Sequence, residues 1–264
     1  MSVGVSVPWF SHRAFRVWER HLTRARRMWR LEMVPPLVEP VVLILALGLG
    51  LGTYVELGGD RDYMQFLVPG VLAIFPVFAA IEEGLWGAYF RMEEHGTYQA
   101  IMATPASVED IILGDLLWSG TRVVINSVMI LAVALAFTPV YGLVTTPLVL
   151  LALPVGFVHG VFMAAACMAY TSRAVSLSTV GFFFSLIIAP MFWFSGVFFP
   201  LEGLPDWLQT AAWFIPIAHA VEINRALADA ALRPSLLGDL LWLVAGAVAC
   251  TYVAVYLMRQ RLVK

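Results

Sequence analysis

Fifty consecutive residues, 123–172, contain no Asp, Glu, Lys or Arg, and after the single Arg173 a second uncharged run fills 174–201. A helix needs roughly 20 apolar residues to cross a bilayer. Inside hydrocarbon every backbone polar group must be paired within its own helix or around a closed barrel. The runs lack the strict alternation of a barrel strand, so the chain is read as an all-α polytopic membrane protein. Composition points the same way: 61% of residues are hydrophobic and 13% charged, against about half and about a quarter in soluble domains. An ordinary soluble enzyme is excluded. Cys167 and Cys250 each lie in an apolar stretch, and no disulfide framework is expected.

Six spans are expected, at about 37–56, 66–90, 116–137, 147–170, 176–199 and 238–258. The fifty-residue run divides into a hairpin because Pro139, Gly142 and Pro147 interrupt it. An even number of spans puts both termini on one side, and the Lys/Arg bias selects that side. Arg13, Arg16, Arg20, Arg24, Arg26, Arg27, Arg30, Arg91, Arg173, Arg259, Arg261 and Lys264 fall together, opposed by Arg61, Arg225 and Arg233. Both termini are therefore expected in the cytoplasm, with the protein multi-pass in a bacterial inner membrane.

The first thirty residues do not resemble a cleavable signal peptide, because the arginines precede no short apolar core. Arg13, Arg16, Arg20, Arg24 and Arg27 recur at spacings of three and four, while Phe10, Ala14, Val17, Trp18, Ala25, Met28 and Trp29 favour other faces. Two readings stand for residues 1–35: an amphipathic helix lying in the headgroup layer, and a simple positive-inside signal. Residues 36–264 form the six-span domain. No folded basic domain follows the arginines, so nucleic-acid binding is not expected. Lys264 is the only lysine. A Walker A loop needs a lysine after its glycines, so ATP hydrolysis through a P-loop within this chain is excluded.

Four motifs fall in order around these spans. They are Tyr63-Met64-Gln65-Phe66-Leu67-Val68-Pro69-Gly70; the stretch from Arg91 to Pro105 with Ile111-Ile112-Leu113-Gly114; Phe194-Ser195-Gly196-Val197-Phe198-Phe199-Pro200 with Leu204-Pro205-Asp206-Trp207; and Pro216-Ile217-Ala218-His219-Ala220 leading to Arg225. With the N-terminal helix they resemble the membrane subunit of ABC-2 type exporters over nearly the whole chain. The arrangement looks most like the NodJ group, permeases that export lipo-chitooligosaccharides, with daunorubicin-exporter permeases related. The resemblance implies a homodimer docked on two copies of a separate ATPase, which would bind the ATP and Mg, with no cofactor in this chain. It also implies a coupling helix at about 96–104 and re-entrant helices at about 200–232, before the last span. The expected coupling residues are Glu94, Gly96, Thr97, Tyr98, Ile101, Met102 and Pro105.

The residues of the coupling stretch suit docking. Glu93, Glu94, Glu109 and Asp110 form an acidic rim around an apolar face of Tyr98, Ile101 and Met102 that another protein can bury. A solvated loop with one helical turn is the alternative reading. Glu39, Glu82, Glu83 and Arg122 are charges at or near membrane depth, costly unless compensated. An ion pair between Arg122 and one of the glutamates would be structural, whereas a glutamate facing a water-filled path would touch polar substrate groups.

Phe192, Trp193, Phe194, Phe198 and Phe199 cluster before the re-entrant segment. Such rings serve as an interfacial belt or as a substrate path and exit gate for sugar rings and acyl chains. Ser195 with His159 or His219 invites comparison with an intramembrane protease, but no third group is identifiable and no catalytic residue is assigned. The five histidines lack paired ligand spacing, so no metal is expected. The expected function is the permease subunit of an ATP-driven exporter of an amphipathic lipid or glycolipid, in contact with membrane lipids. The alternatives are an amphiphilic drug exporter, an ion-gradient secondary transporter and a membrane-embedded enzyme.

Overall fold

The computed structural model describes residues 11–50, 52, 54, 62–144 and 146–263, and among these the chain contains helices and no strand. Phe10, Arg61 and Lys264 lie outside the described residues, as do the first ten residues of the expected amphipathic segment and parts of 51–56. In chain order the helices are α1 (His12–Arg27), α2 (Trp29–Leu49), α3 (Tyr63–Glu94), α4 (Thr97–Met102), α5 (Val108–Tyr141), α6 (Pro147–Thr171), α7 (Leu177–Trp193), α8 (Asp206–Trp213), α9 (Pro216–Ala228) and α10 (Ser235–Leu262). Five of them (α2, α3, α5, α6 and α10) are long and apolar enough to cross a membrane, and α7 is a shorter apolar helix. The protein is an all-α polytopic membrane protein.

Several boundaries differ from the sequence expectation, and those of α3, α5 and α7 have physical reasons. Helices α3 and α5 run well past the apolar windows at one end, because charged residues continue the helix beyond hydrocarbon. The fifth apolar segment was expected to reach 199, but α7 stops at Trp193. Gly196 is left-handed at φ 79° and Pro200 follows, so residues 194–199 form a loop. Seventeen residues at about 1.5 Å each give roughly 25 Å, short of a hydrocarbon core of about 30 Å.

α3 is the hub of the bundle: 83% of its most apolar window is buried, against 22% for α10 and 18% for α2. It packs on α5, α6 and α9, while α6 also packs on α5 and α10. Between apolar helices in lipid, close packing replaces hydrophobic burial as the adhesive, and small residues allow it. Gly120 and Gly160 serve this purpose at the α5–α6 crossing, where an added Cβ at Gly160 would meet Val123 Cγ2 at 2.6 Å.

The charges mark out a common level. Residues 63–81 of α3, 123–141 of α5 and 240–258 of α10 are each nineteen uncharged residues, or about 28 Å of helix. Glu82 and Glu83, Arg122 and Arg259 bound these stretches at the same end of the bundle as α1. Glu82 and Glu83, which fall within the expected second span of 66–90, therefore stand at the edge of this uncharged layer.

Candidate functional site

α1 begins at Ser11, whose hydroxyl caps the amide of Arg13, and turns Ala14, Val17, His21 and Ala25 inward at spacings of three and four. That face lies on α5. The fit depends on Gly114, where a Cβ would come within 2.6 Å of the Ala14 carbonyl oxygen and 2.5 Å of Val17 Cβ. Trp18 Nε1 donates to Thr121 Oγ1 at 2.9 Å. Most arginines of α1 point elsewhere, although Arg24 Nη2 lies 3.8 Å from Glu83 Oε1, and His21 is the buried polar residue of this helix.

His21 meets Asp115 there, at 2.7 Å from Nε2 to Oδ1. The Asp115 side chain has no solvent exposure. Its other oxygen accepts from the Tyr98 hydroxyl at 2.7 Å and lies 3.1 Å from Arg91 Nε. Arg91 continues the chain of contacts to Glu83, with Nη1 at 2.7 Å from Oε2 and Nη2 donating to the Glu83 carbonyl at 3.2 Å. Glu83 Oε1 accepts from Arg122 at 2.9 Å and from Trp118 Nε1 at 3.4 Å. Two carboxylates and the guanidinium groups of Arg91 and Arg122 thus neutralise one another across α3 and α5, with Arg24 of α1 at 3.8 Å from Glu83 and with His21 and Tyr98 adding hydrogen-bonding side chains. Burial of such charges is tolerable only with this degree of pairing.

Local backbone geometry aims these groups. α3 contains wide π-type turns at Glu83–Gly87 and Phe90–Glu94, a device common at functional sites, and they carry Glu83 and Arg91. Gly96 then takes a left-handed conformation at φ 57°, which a side chain would strain, and reverses the chain so that Tyr98 returns to the bundle. Burial raises the proton affinity of the Tyr98 phenol far above the ordinary value despite the opposing Arg91 charge. Tyr98 therefore stays a donor.

These positions revise the expected docking face. Tyr98 is fully buried within its own chain, because its hydroxyl serves Asp115 and its ring fills the space between α3 and α5. Ile101 and Met102 are half-buried, and Ala100, Ala103, Thr104 and Pro105 form the exposed side. The acidic rim is also largely engaged: Glu93 pairs with Arg261 at 3.0 Å, Glu109 with Arg259 at 2.9 Å, and Asp110 forms a capping box with Ser107. Glu94 keeps an exposed carboxylate. Arg122 pairs with Glu83, whereas Glu82 and Glu39 open onto a cavity of about 400 Å³.

Between this level and the opposite end the expected aromatic gate divides in two. Phe192 and Phe198 pack inward, with Phe192 at 6.0 Å from Phe75, 5.5 Å from Phe78 and 5.0 Å from Phe198, and Phe199 is half-buried. Trp193 and Phe194 point outward. Arg225 on α9 donates to the Gly196 carbonyl at 2.6 Å and lies 3.7 Å above the Phe66 ring. Tyr63 donates to the Phe198 carbonyl at 3.0 Å. Three of the sequence motifs are knitted together by these bonds. Ser195 Oγ bonds the Phe192 carbonyl at 2.7 Å, while His219 is engaged by Asp239 and the Trp213 carbonyl. Among the described residues no serine–histidine pair of the protease kind is assembled.

Sequence reasoning missed Asp115, His21 and the inward role of Arg91. A signal existed for Asp115: it stands seven residues before Arg122 on one helix and therefore on the same face.

A helical bundle with ion-paired charges at one edge of its apolar layer, and short helices toward the other, defines a multi-pass membrane protein. The family model for the ABC-2 type transporter matches residues 13–227, and the chain belongs to that family. It is 31% identical over 237 residues to Nodulation protein J of Rhizobium leguminosarum bv. trifolii, a match covering 89% of this chain and 83% of that protein. Against Nodulation protein J of Rhizobium leguminosarum bv. viciae the identity is 30% over 258 residues, 94% of each. Inner membrane transport permease YadH of Escherichia coli strain K12 is 25% identical over 215 residues, 78% of each.

Proposed function

We propose that this chain is the permease subunit of an ATP-driven exporter that moves an amphipathic substrate, such as a lipid-linked oligosaccharide or glycolipid, out of the cytoplasm or inner leaflet. A second copy completes the path, and two copies of a separate ATPase bind the exposed side of α4 around Ala100, Ala103 and Thr104, with Glu94 beside it. Both termini and α1 are then cytoplasmic and the protein sits in the inner membrane, the location that the name of the Escherichia coli permease YadH gives for that relative. The likeness to the Nodulation protein J group supports the choice of a lipo-oligosaccharide over a drug.

One observation carries the reading: α4 is bonded through Tyr98 and Asp115 to the ion network that holds α1, α3 and α5 together. A push on α4 cannot be absorbed locally, because moving Tyr98 leaves a buried carboxylate and Arg91 short of a partner. Motion at the ATPase is passed to the level of Glu82, Glu83 and Arg122, where a substrate headgroup enters. An ion-gradient transporter has no use for a rigid lever at this place.

The test is co-purification of the permease with its ATPase, with ATP turnover in liposomes. Ala100→Arg and Ala103→Glu, both on the exposed side of α4, should abolish the complex while leaving membrane insertion and thermal stability unchanged. An intact complex with normal transport in both variants would overturn the docking assignment.

A further inference from the structure

We infer that the cavity beside Glu39 and Glu82 is a headgroup site selective for amphiphiles carrying a protonated amine. The inference deepens the export reading and rests on it.

The cavity lies between α2, α3 and α5. It holds about 400 Å³ and continues into a second space of about 340 Å³ that shares Glu39, Phe78 and Glu82. Its position matches the edge of the apolar layer, since Glu82 directly follows the uncharged residues 63–81 and Glu39 directly precedes the uncharged part of α2. A lipid-like molecule in the adjoining leaflet presents its polar head at this level.

The electrostatics select the head. The cations that line the cavity are already engaged: Arg122 with Glu83 at 2.9 Å, and Arg24 with Glu32 at 3.2 Å. Glu39 and Glu82 have no hydrogen bond or ion pair among the described residues. Two carboxylates without a hydrogen bond or ion pair of their own, at the membrane edge, favour a cation and repel an anion. The second space is walled by Phe78, Trp86, Phe184 and Phe192, and Trp86 and Phe184 stand 5.2 Å apart. Aromatic faces attract ammonium groups and offer apolar cover for whatever carries them. A neutral sugar uses the rings but leaves both charges unanswered. A phosphate head is opposed by both. The amine can belong to an amino sugar on a glycolipid or to an alkylamine, and the chemistry is shared.

Binding is measured on the full-length permease in zwitterionic nanodiscs, without ATPase, by quenching of tryptophan fluorescence. The probes are dodecylamine, a dodecyl glucosaminide with its amine free, dodecyl maltoside and dodecyl phosphate. At least one amine probe should bind about tenfold or more tightly than the maltoside, with the phosphate weakest. Which amine binds distinguishes the glycolipid source from the alkylamine. The Glu39→Gln/Glu82→Gln double variant should lose the preference for amines while keeping its affinity for maltoside, and Glu202→Gln should change nothing. Equal binding of the four heads by the unaltered protein, or an amine preference surviving in the double variant, would overturn the inference. Because the readout needs no ATPase, its failure with ATP-driven transport intact leaves the export reading standing, whereas loss of ATPase coupling leaves this binding untouched.

Discussion

Tyr98 and Asp115 meet across two elements with both side chains sealed from solvent, the phenol donating to Asp115 Oδ2 at 2.7 Å. Tyr98→Phe keeps the ring and deletes this bond. The variant should lose about 1–3 kcal/mol of stability, the usual cost of leaving a buried acceptor short. Thermal unfolding in nanodiscs measures it.

Asp115→Ala is a harsher change. It removes one of the two carboxylates that answer Arg91 and leaves His21 without an acceptor. Breaking a buried pair from one side costs about 3–5 kcal/mol, so the variant should fail to accumulate in the membrane or unfold far below the parent. Removing charge from both sides is milder, and Asp115→Asn with Arg91→Met should recover part of the loss.

Gly114 is the hinge of a packing prediction. Gly114→Val places methyl groups where Ala14 and Val17 now stand, an overpacking that costs about 1–3 kcal/mol. Its signature is separation of α1 from α5: cysteines at positions 18 and 121 should be joined by a short bifunctional maleimide in the parent background and with much lower yield in the valine variant.

His219 faces two acceptors, Asp239 at Nδ1 and the Trp213 carbonyl at Nε2, each at 2.7 Å, and stacks on Trp242 at 4.6 Å. His219→Phe should preserve the stack, lose both bonds and release α8 and α9 from α10. Faster hydrogen exchange at 206–228, with α3 and α6 unchanged, is the expected readout.

The apolar architecture was legible in the sequence because membrane helices must be long and uncharged, and the six segments all correspond to helices. Arg122 and Glu83 were legible as a potential pair because charges at such places need partners. Tyr98 was not, since a six-residue helix has too few turns for its periodicity to tell an inward from an outward face, and its direction depends on Gly96. Asp115 was hidden among nearby acids at the start of α5 that serve capping and surface pairing. Arg91 read as a loop charge because the wide turns that bring it over Glu83 have no signature in hydropathy. The end of α7 at Trp193 followed from the left-handed Gly196, which an apolar window passes over.

The central claim is that α4 drives the membrane part through Tyr98, and it is tested most directly by the ratio of substrate moved to ATP hydrolysed. In proteoliposomes holding the permease with its ATPase, Tyr98→Phe should keep ATP turnover within about twofold of the parent while transport falls about tenfold, a difference of roughly 1.4 kcal/mol in coupling. Transport and hydrolysis both at parental levels, in a variant shown to retain the assembled complex, would contradict the account.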